Sequence, residues 1–208
     1  LGAAARETER IALGPTVTNP VTRHPVVTTS AVCTLDALSD GRAFVGVGGG
    51  GRAVHTLGER AARIAEKRAF VELFEALSKG ERTEYEGTEV GLTWLRKRGE
   101  RRDVPLFLTA EGPKMLHVAG EVADRVLVGT GIAPEVLTEA VRRIERGARE
   151  AGRDPDDVEV WAMARAAVAD DVERLRDDLL TTVASVAHHT LGHTFEGKVV
   201  PEEYEEPL

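Results

Sequence analysis

A parallel α/β sheet with helical crossovers is the fold class this sequence predicts, and two observations predict it. Short apolar runs alternate with amphipathic segments of helical period along the 208 residues. Most of those runs also stop at glycine, proline or small polar residues, the composition of strand carboxyl ends, where α/β folds bind their ligands. Periodicity alone fits a doubly wound open sheet as well as part of an eight-stranded barrel.

Leu1 to Arg10 reads as the tail of a helix. A strand is expected at 10–14, with Ile11 to Leu13 as its buried part, and it runs into Gly14-Pro15-Thr16-Val17-Thr18-Asn19-Pro20-Val21-Thr22-Arg23-His24-Pro25. Pro15, Pro20 and Pro25 forbid a continuing ladder, while Thr16, Thr18, Asn19 and Thr22 offer polar groups at the strand end. A helix over 25–38 follows, with Val26, Thr29, Ala31, Val32, Leu35 and Leu38 at helical spacing and Ser39-Asp40-Gly41 to stop it. The second strand, 42–47, ends at Gly48-Gly49-Gly50-Gly51, whose missing side chains permit a ligand to approach the backbone. The spacing then predicts a helix over 59–78, with Ile64, Ala65, Ala69, Phe70, Leu73, Phe74 and Leu77 on one side.

Residues 81–103 break this rhythm. They are charged, carry Tyr85-Glu86-Gly87 and alternate only weakly from Val90 to Leu95, so an insertion over the active face is expected, with Tyr85 and Trp94 as pocket wall or as anchors. A strand at 104–109 leads to a helix opened by Gly112-Pro113, with Met115, Leu116, Val118, Ala119 and Val122 as its apolar stripe. A strand at 125–129 ends in Gly129-Thr130-Gly131; a helix at 134–151, a fifth strand at 158–168 and a last helix near 171–191 complete the pattern. The segment 195–208 is acidic and proline-bearing and is left unassigned. Residues 1–208 read as a single domain.

Composition narrows the function. With 42% hydrophobic and 30% charged residues the chain is ordinary for a globular domain, and its formal net charge of −8 disfavours a nucleic-acid surface. No uncharged apolar run approaches the ~20 residues of a membrane span, so no membrane association and a cytoplasmic location are expected. The single cysteine, Cys33, has no internal disulfide partner and sits in an apolar helical pattern, which reads as core packing in a reducing compartment.

The segment at 14–25 resembles the Gly-Pro-x-[Val/Ile]-Thr-Asn-Pro-x-Thr-Arg-His stretch of the luciferase-like monooxygenase superfamily, closest to its coenzyme F-420-dependent methylenetetrahydromethanopterin reductase branch. Thr109-Ala110-Glu111-Gly112-Pro113-Lys114 resembles that superfamily's Ala-x-Gly-Pro-Lys element. The resemblance implies a (β/α)8 TIM barrel of the bacterial-luciferase-like type, here partial, with about five β/α units that correspond to strands three to seven. Two units would then stand in front and one behind, which makes the chain a fragment of a barrel.

Site residues follow from the same resemblance. A non-prolyl cis peptide falls at Thr16-Val17, where the superfamily bulges its backbone against the flavin or deazaflavin ring; the reductase branch often has Gly where this chain has Thr16. Thr18 and Asn19 continue that contact, and Gly48 and Gly49 lie beside the ring. Ala110, Glu111, Gly112, Pro113 and Lys114 hold the cofactor phosphate. Elementary physics agrees with this last assignment, because a helix starting at Pro113 directs unpaired amides and a positive dipole end outward while Lys114 adds charge. Members that act on sugar phosphates carry an acid near position 51, where this chain has Gly51.

Other patterns carry less. Gly46-x-Gly48-x-x-Gly51 matches a dinucleotide fingerprint, but the acid that motif needs about 20 residues on falls inside a long amphipathic helix. His188, His189 and His193 include a pair four apart, yet no His-Glu-x-x-His pattern accompanies them, so a surface helix is expected and no metal. His24 has two readings, a proton donor to substrate or a helix cap. The resulting expectation is a coenzyme F-420-dependent oxidoreductase acting on a small molecule, homodimeric when the barrel is complete. An FMN-dependent monooxygenase is the alternative within the enzymes, and a non-catalytic binding protein or inactive partial barrel the alternative outside them.

Overall fold

The computed structural model describes residues 1–164 without a break, together with 166, 168, 170, 171, 175, 179, 180, 183 and 184. Most of the helix expected at 171–191, the three histidines and the segment 195–208 lie outside the described residues. The elements are α1 (Gly2–Glu7), α2 (Pro25–Ser39), β1 (Val45–Val47), α3 (Gly51–Thr56), α4 (Ile64–Ser78), β2 (Arg82–Tyr85), β3 (Thr88–Gly91), α5 (Thr93–Arg98), β4 (Leu106–Ala110), α6 (Pro113–Val122), β5 (Arg125–Val128), α7 (Pro134–Glu150) and β6 (Glu159–Ala162). No described helix is long and apolar enough to cross a membrane.

The main sheet has the order β1-β4-β5-β6 and every pairing in it is parallel. Strand order follows chain order without the reversal that a doubly wound sheet needs, which is how a barrel wall grows. Among the described residues the wall does not close.

The strand expected at 10–14 is a correction. Only isolated bridges tie this stretch to β1 and its approach, Leu13 with Ala43 and Thr18 with Val47, and Ile11 is exposed at 52% rather than buried. The guanidinium of Arg42 takes the carbonyls of Ala5, Thr8 and Ile11 at 2.8–2.9 Å, so these acceptors meet a side chain instead of a ladder. The fifth strand is shorter than expected as well, ending at Ala162.

Alternation along the strands decides the two faces. Val45, Val47, Leu106, Leu108, Ala110, Val126 and Val128 pack against Phe70, Phe74, Met115, Leu116, Ala119 and Ile144 of the outer helices. Each such large apolar side chain contributes about 1.5–3 kcal/mol on burial. The other face carries Phe44, Phe107 and Trp161 in an edge-to-face row, with centroids 5.6 Å and 5.2 Å apart. Above that row Thr109 and Leu127 stand in register, with Thr109 beside the bare backbone of Gly48.

Helices α6 and α7 meet backbone to backbone. A Cβ on Gly120 would stand 1.9 Å from the Ile144 carbonyl oxygen, and one on Gly147 1.9 Å from that of His117. The two glycines therefore set how closely α7 lies, and through α6 they seat the turn that opens it.

Segment 81–103 does not lie over the strand ends as expected. It forms a β2–β3 hairpin, turned at Glu86 and Gly87 with φ of 50° and 76°, followed by α5. Leu92 and Leu95 build a small second core with Cys33, Leu73 and Leu77 on the outer side of α2 and α4. Trp94 is an anchor, its Nε1–H donating to Ser30 Oγ at 3.2 Å. Only the hairpin tip reaches the rim, where Tyr85 packs edge-on against His24 at 5.5 Å. Cys33 is fully buried, and burial pushes its thiol up to about 12.

Candidate functional site

At the carboxyl end of β1 the chain builds a shelf from the stretch 14–18. Gly14 is obligatory, since a Cβ there would lie 2.1 Å from Phe44 O. The backbone then pairs on both sides of a cis peptide between Thr16 and Val17: Gly46 N–H donates to Pro15 O at 2.8 Å, Thr18 N–H to Gly46 O at 2.8 Å and Gly48 N–H to Thr18 O at 2.9 Å. Val17 is half-exposed at 45%, and its methyl groups lie over the bare backbone of Gly46 and Gly48. A Cβ on Gly48 would meet Val17 Cγ2 and Thr109 Oγ1, both at 2.9 Å. Thr109 is held there by donating to Val47 O at 3.2 Å. The shelf is thus a flat patch of backbone with one aliphatic cap.

Asn19 is buried and its Oδ1 accepts from the amides of Val21 and Thr22 at 3.0 and 2.8 Å. Its carboxamide oxygen shapes the loop. Gly49 joins the shelf to the start of α4, with its carbonyl accepting from Ala62 N–H at 2.8 Å. His24 caps α2, Nδ1 accepting from Val26 N–H at 3.2 Å, which leaves the ring proton on Nε2.

One strand further on, β4 delivers the start of α6. Ala110 is buried among the outer helices, so it offers a ligand only its backbone. Gly112 is the N-cap and Pro113 the first helical residue, and no side chain caps this end. The first intrahelical bond runs from Leu116 N–H to Gly112 O at 2.9 Å, so the amides of Lys114 and Met115 precede the ladder and point out of it. A Cβ on Gly112 would meet nothing within 4 Å. Among the described residues the space beside Gly112 is open, and Lys114 is exposed next to it. Bare donors, a cation and open space fit a phosphate group.

Sequence reasoning missed part of the rim. A Cβ on Gly129, at the end of β5, would stand 2.8 Å from Glu111 Oε1, so the Glu111 carboxylate rests against β5. From α4, Lys67 comes to the same place half-buried; burial holds its ammonium below the usual lysine range, and the Glu111 charge partly offsets that. A signal existed: Lys67 occupies the apolar stripe shared by Ile64, Val71 and Phe74, where a charge is out of pattern.

The sequence profile of the family described as luciferase-like monooxygenase matches residues 1–207. The chain is 36% identical over 202 residues to 5,10-methylenetetrahydromethanopterin reductase of Methanopyrus kandleri, covering 88% of this chain and 58% of that protein. It is 34% identical over 169 residues to F420-dependent glucose-6-phosphate dehydrogenase of Microbacterium testaceum, covering 76% and 50%. Among solved structures, the F420-dependent tetrahydromethanopterin reductase of Methanopyrus kandleri superposes with TM-score 0.74 at 30% identity, over 89% of this chain and 59% of the other. An F420-dependent secondary alcohol dehydrogenase superposes with TM-score 0.76 at 24% identity, which speaks for the fold. The chain spans 58% and 50% of the lengths of these two curated relatives. With its family match end to end and its strands in barrel order, the protein belongs to the luciferase-like monooxygenase family and carries part of that family's α/β barrel.

Proposed function

We propose that this protein is a coenzyme F-420-dependent oxidoreductase acting on a small organic molecule. The observation that carries the reading is the convergence, at adjacent strand ends, of a flat backbone shelf and an uncapped helix start in open space. Thr16, Val17 and Thr18 would bear on one side of a planar ring, with Gly48 and Gly49 along its edge. The Lys114 and Met115 amides would hold the phosphate, with Lys114 adding charge. When bound, the deazaflavin supplies the hydride chemistry. The protein's own work is to orient the ring, neutralise the phosphate and move a proton, for which the Nε2–H of His24 is the proposed donor.

The names of the glucose-6-phosphate dehydrogenase relative and of the solved tetrahydromethanopterin reductase support F-420. Gly51 supplies no acid where sugar-phosphate-acting members carry one, which supports a different substrate class. The uncharged exposed face of α2, with Val27, Ala31, Thr34 and Leu38, supports homodimerisation of the complete barrel. Titration of the purified protein with F-420 and with FMN, read by cofactor fluorescence, tests the cofactor. Saturable binding of F-420, tighter than that of FMN, is expected; tighter binding of FMN overturns this reading in favour of the monooxygenase, and binding of neither favours the non-catalytic barrel.

A further inference from the structure

Lys67 stands where a cation is costly. It lies half-buried in the first turn of α4, on the stripe it shares with Ile64, Val71 and Phe74. Burial holds its ammonium below the usual lysine range, so the charged form is short of solvation. The first turn adds to that cost, because the positive end of a helix dipole disfavours a cation. The charges next to it in sequence have partners: Arg68 pairs with Glu121 of α6, and Glu66 accepts from Arg60 and from the Arg63 amide. Among the described residues the Lys67 side chain makes no hydrogen bond and no ion pair, and the attraction that reaches it is the charge of Glu111. This turn of α4 is pinned to the shelf by the bond from Ala62 N–H to Gly49 O at 2.8 Å, and Glu111 directly precedes Gly112. The ammonium therefore lies between the shelf and the start of α6.

Resting on the phosphate reading above, we propose that Lys67 is a ligand of the cofactor phosphate, delivered by α4 to the group that the start of α6 holds. A bound phosphate offsets both costs, since it supplies the anion that a desolvated ammonium lacks, and hydrogen bonds between charged groups are about twice as strong as neutral ones. Two ammoniums, Lys67 and Lys114, and a helix start then face the anion, while Glu111 brings at most one negative charge. The site accordingly holds the doubly charged phosphomonoester of FMN at least as firmly as the singly charged phosphodiester of F-420. Discrimination between the two cofactors falls to the ring and its shelf, and Lys67 recognises the phosphate that both carry.

The test uses two pairs of ligands, each pair with one ring system: F-420 with its phosphate-free deazariboflavin, and FMN with riboflavin. Binding is followed by ligand fluorescence at about pH 8, where a phosphomonoester is doubly charged. Lys67→Met keeps an apolar stem and removes the charge. It should weaken F-420 and FMN about tenfold, the worth of one hydrogen bond between charged groups, and leave the phosphate-free ligands within about twofold of wild type. The loss should be larger for FMN, whose phosphate carries the second charge. Lys67→Arg restores the charge and should recover most of the affinity. Equal weakening of both members of a pair overturns the proposal, since Lys67 would then shape the ring site. Unchanged affinity for F-420 and FMN also overturns it, leaving Lys67 a packing residue and the phosphate reading at α6 intact. Wild-type protein that binds neither phosphorylated ligand more tightly than its phosphate-free partner, or binds none of the four, overturns the phosphate reading itself.

Discussion

Gly120 of α6 and Gly147 of α7, where the two helices touch, and Gly112 at the start of α6 are glycines for opposite reasons. At the first two a Cβ would strike a carbonyl oxygen of the neighbouring helix at 1.9 Å. At Gly112 the φ is −91°, any residue could adopt it, and a Cβ would meet nothing within 4 Å. The fold demands glycine at the helix contact and does not demand it at the helix start. On the proposed function, the room left at Gly112 serves a phosphate that approaches the backbone. Gly48 lies between these cases, since its neighbours at 2.9 Å are side-chain atoms of Val17 and Thr109.

Among substitutions, the largest effects belong to the contact glycines. Gly120→Ala or Gly147→Ala should cost about 3 kcal/mol of stability, the upper part of the range for overpacking against a rigid neighbour, as measured by urea unfolding. Leu95→Ala in the small core under the hairpin should cost a similar amount, about 2–5 kcal/mol. Because that core lies on the outer side of α2 and α4, its loss should leave F-420 affinity unchanged in protein that is still folded. Gly48→Ala should cost only about 1 kcal/mol and yet weaken F-420 binding clearly, as the Val17 cap is pushed from the shelf. The mildest test concerns Cys33. Its folded pKa of about 12 stands above the ordinary thiol value, so the stability it contributes is full below about 9 and is lost as pH rises toward 12. Urea midpoints taken from pH 7 to 11 should fall only in the upper part of that range, and Cys33→Ala should flatten the decline.

Legibility in the sequence followed burial. Strands with apolar residues on the helix-facing side, at 45–47 and 106–110, are visible because their alternation or continuous apolar run is a burial signal. The helix opened by Gly112-Pro113 is visible because proline and glycine punctuate it. Ile11 misled because an apolar residue is not a buried one: beside the 14–18 shelf the described chain offers no further strand to cover it. The short α3 was missed because a run of glycines reads as loop, and among its described side chains Val54 is the one that is fully buried. Segment 81–103 was misplaced because its apolar residues, Leu92 and Leu95, pack on helix surfaces that no local pattern identifies. At the site, the motif residues could be located by sequence, while Lys67 and Gly129 reach it from other units through tertiary structure.

If the start of α6 receives a phosphate, Gly112→Glu blocks it. The new side chain enters open space, so the melting temperature should stay within about 2 °C of wild type, the shift of a surface substitution. F-420 affinity, read by fluorescence titration of the same samples, should fall below detection, because a carboxylate then occupies the phosphate position. Wild-type affinity in a folded Gly112→Glu protein would contradict the account.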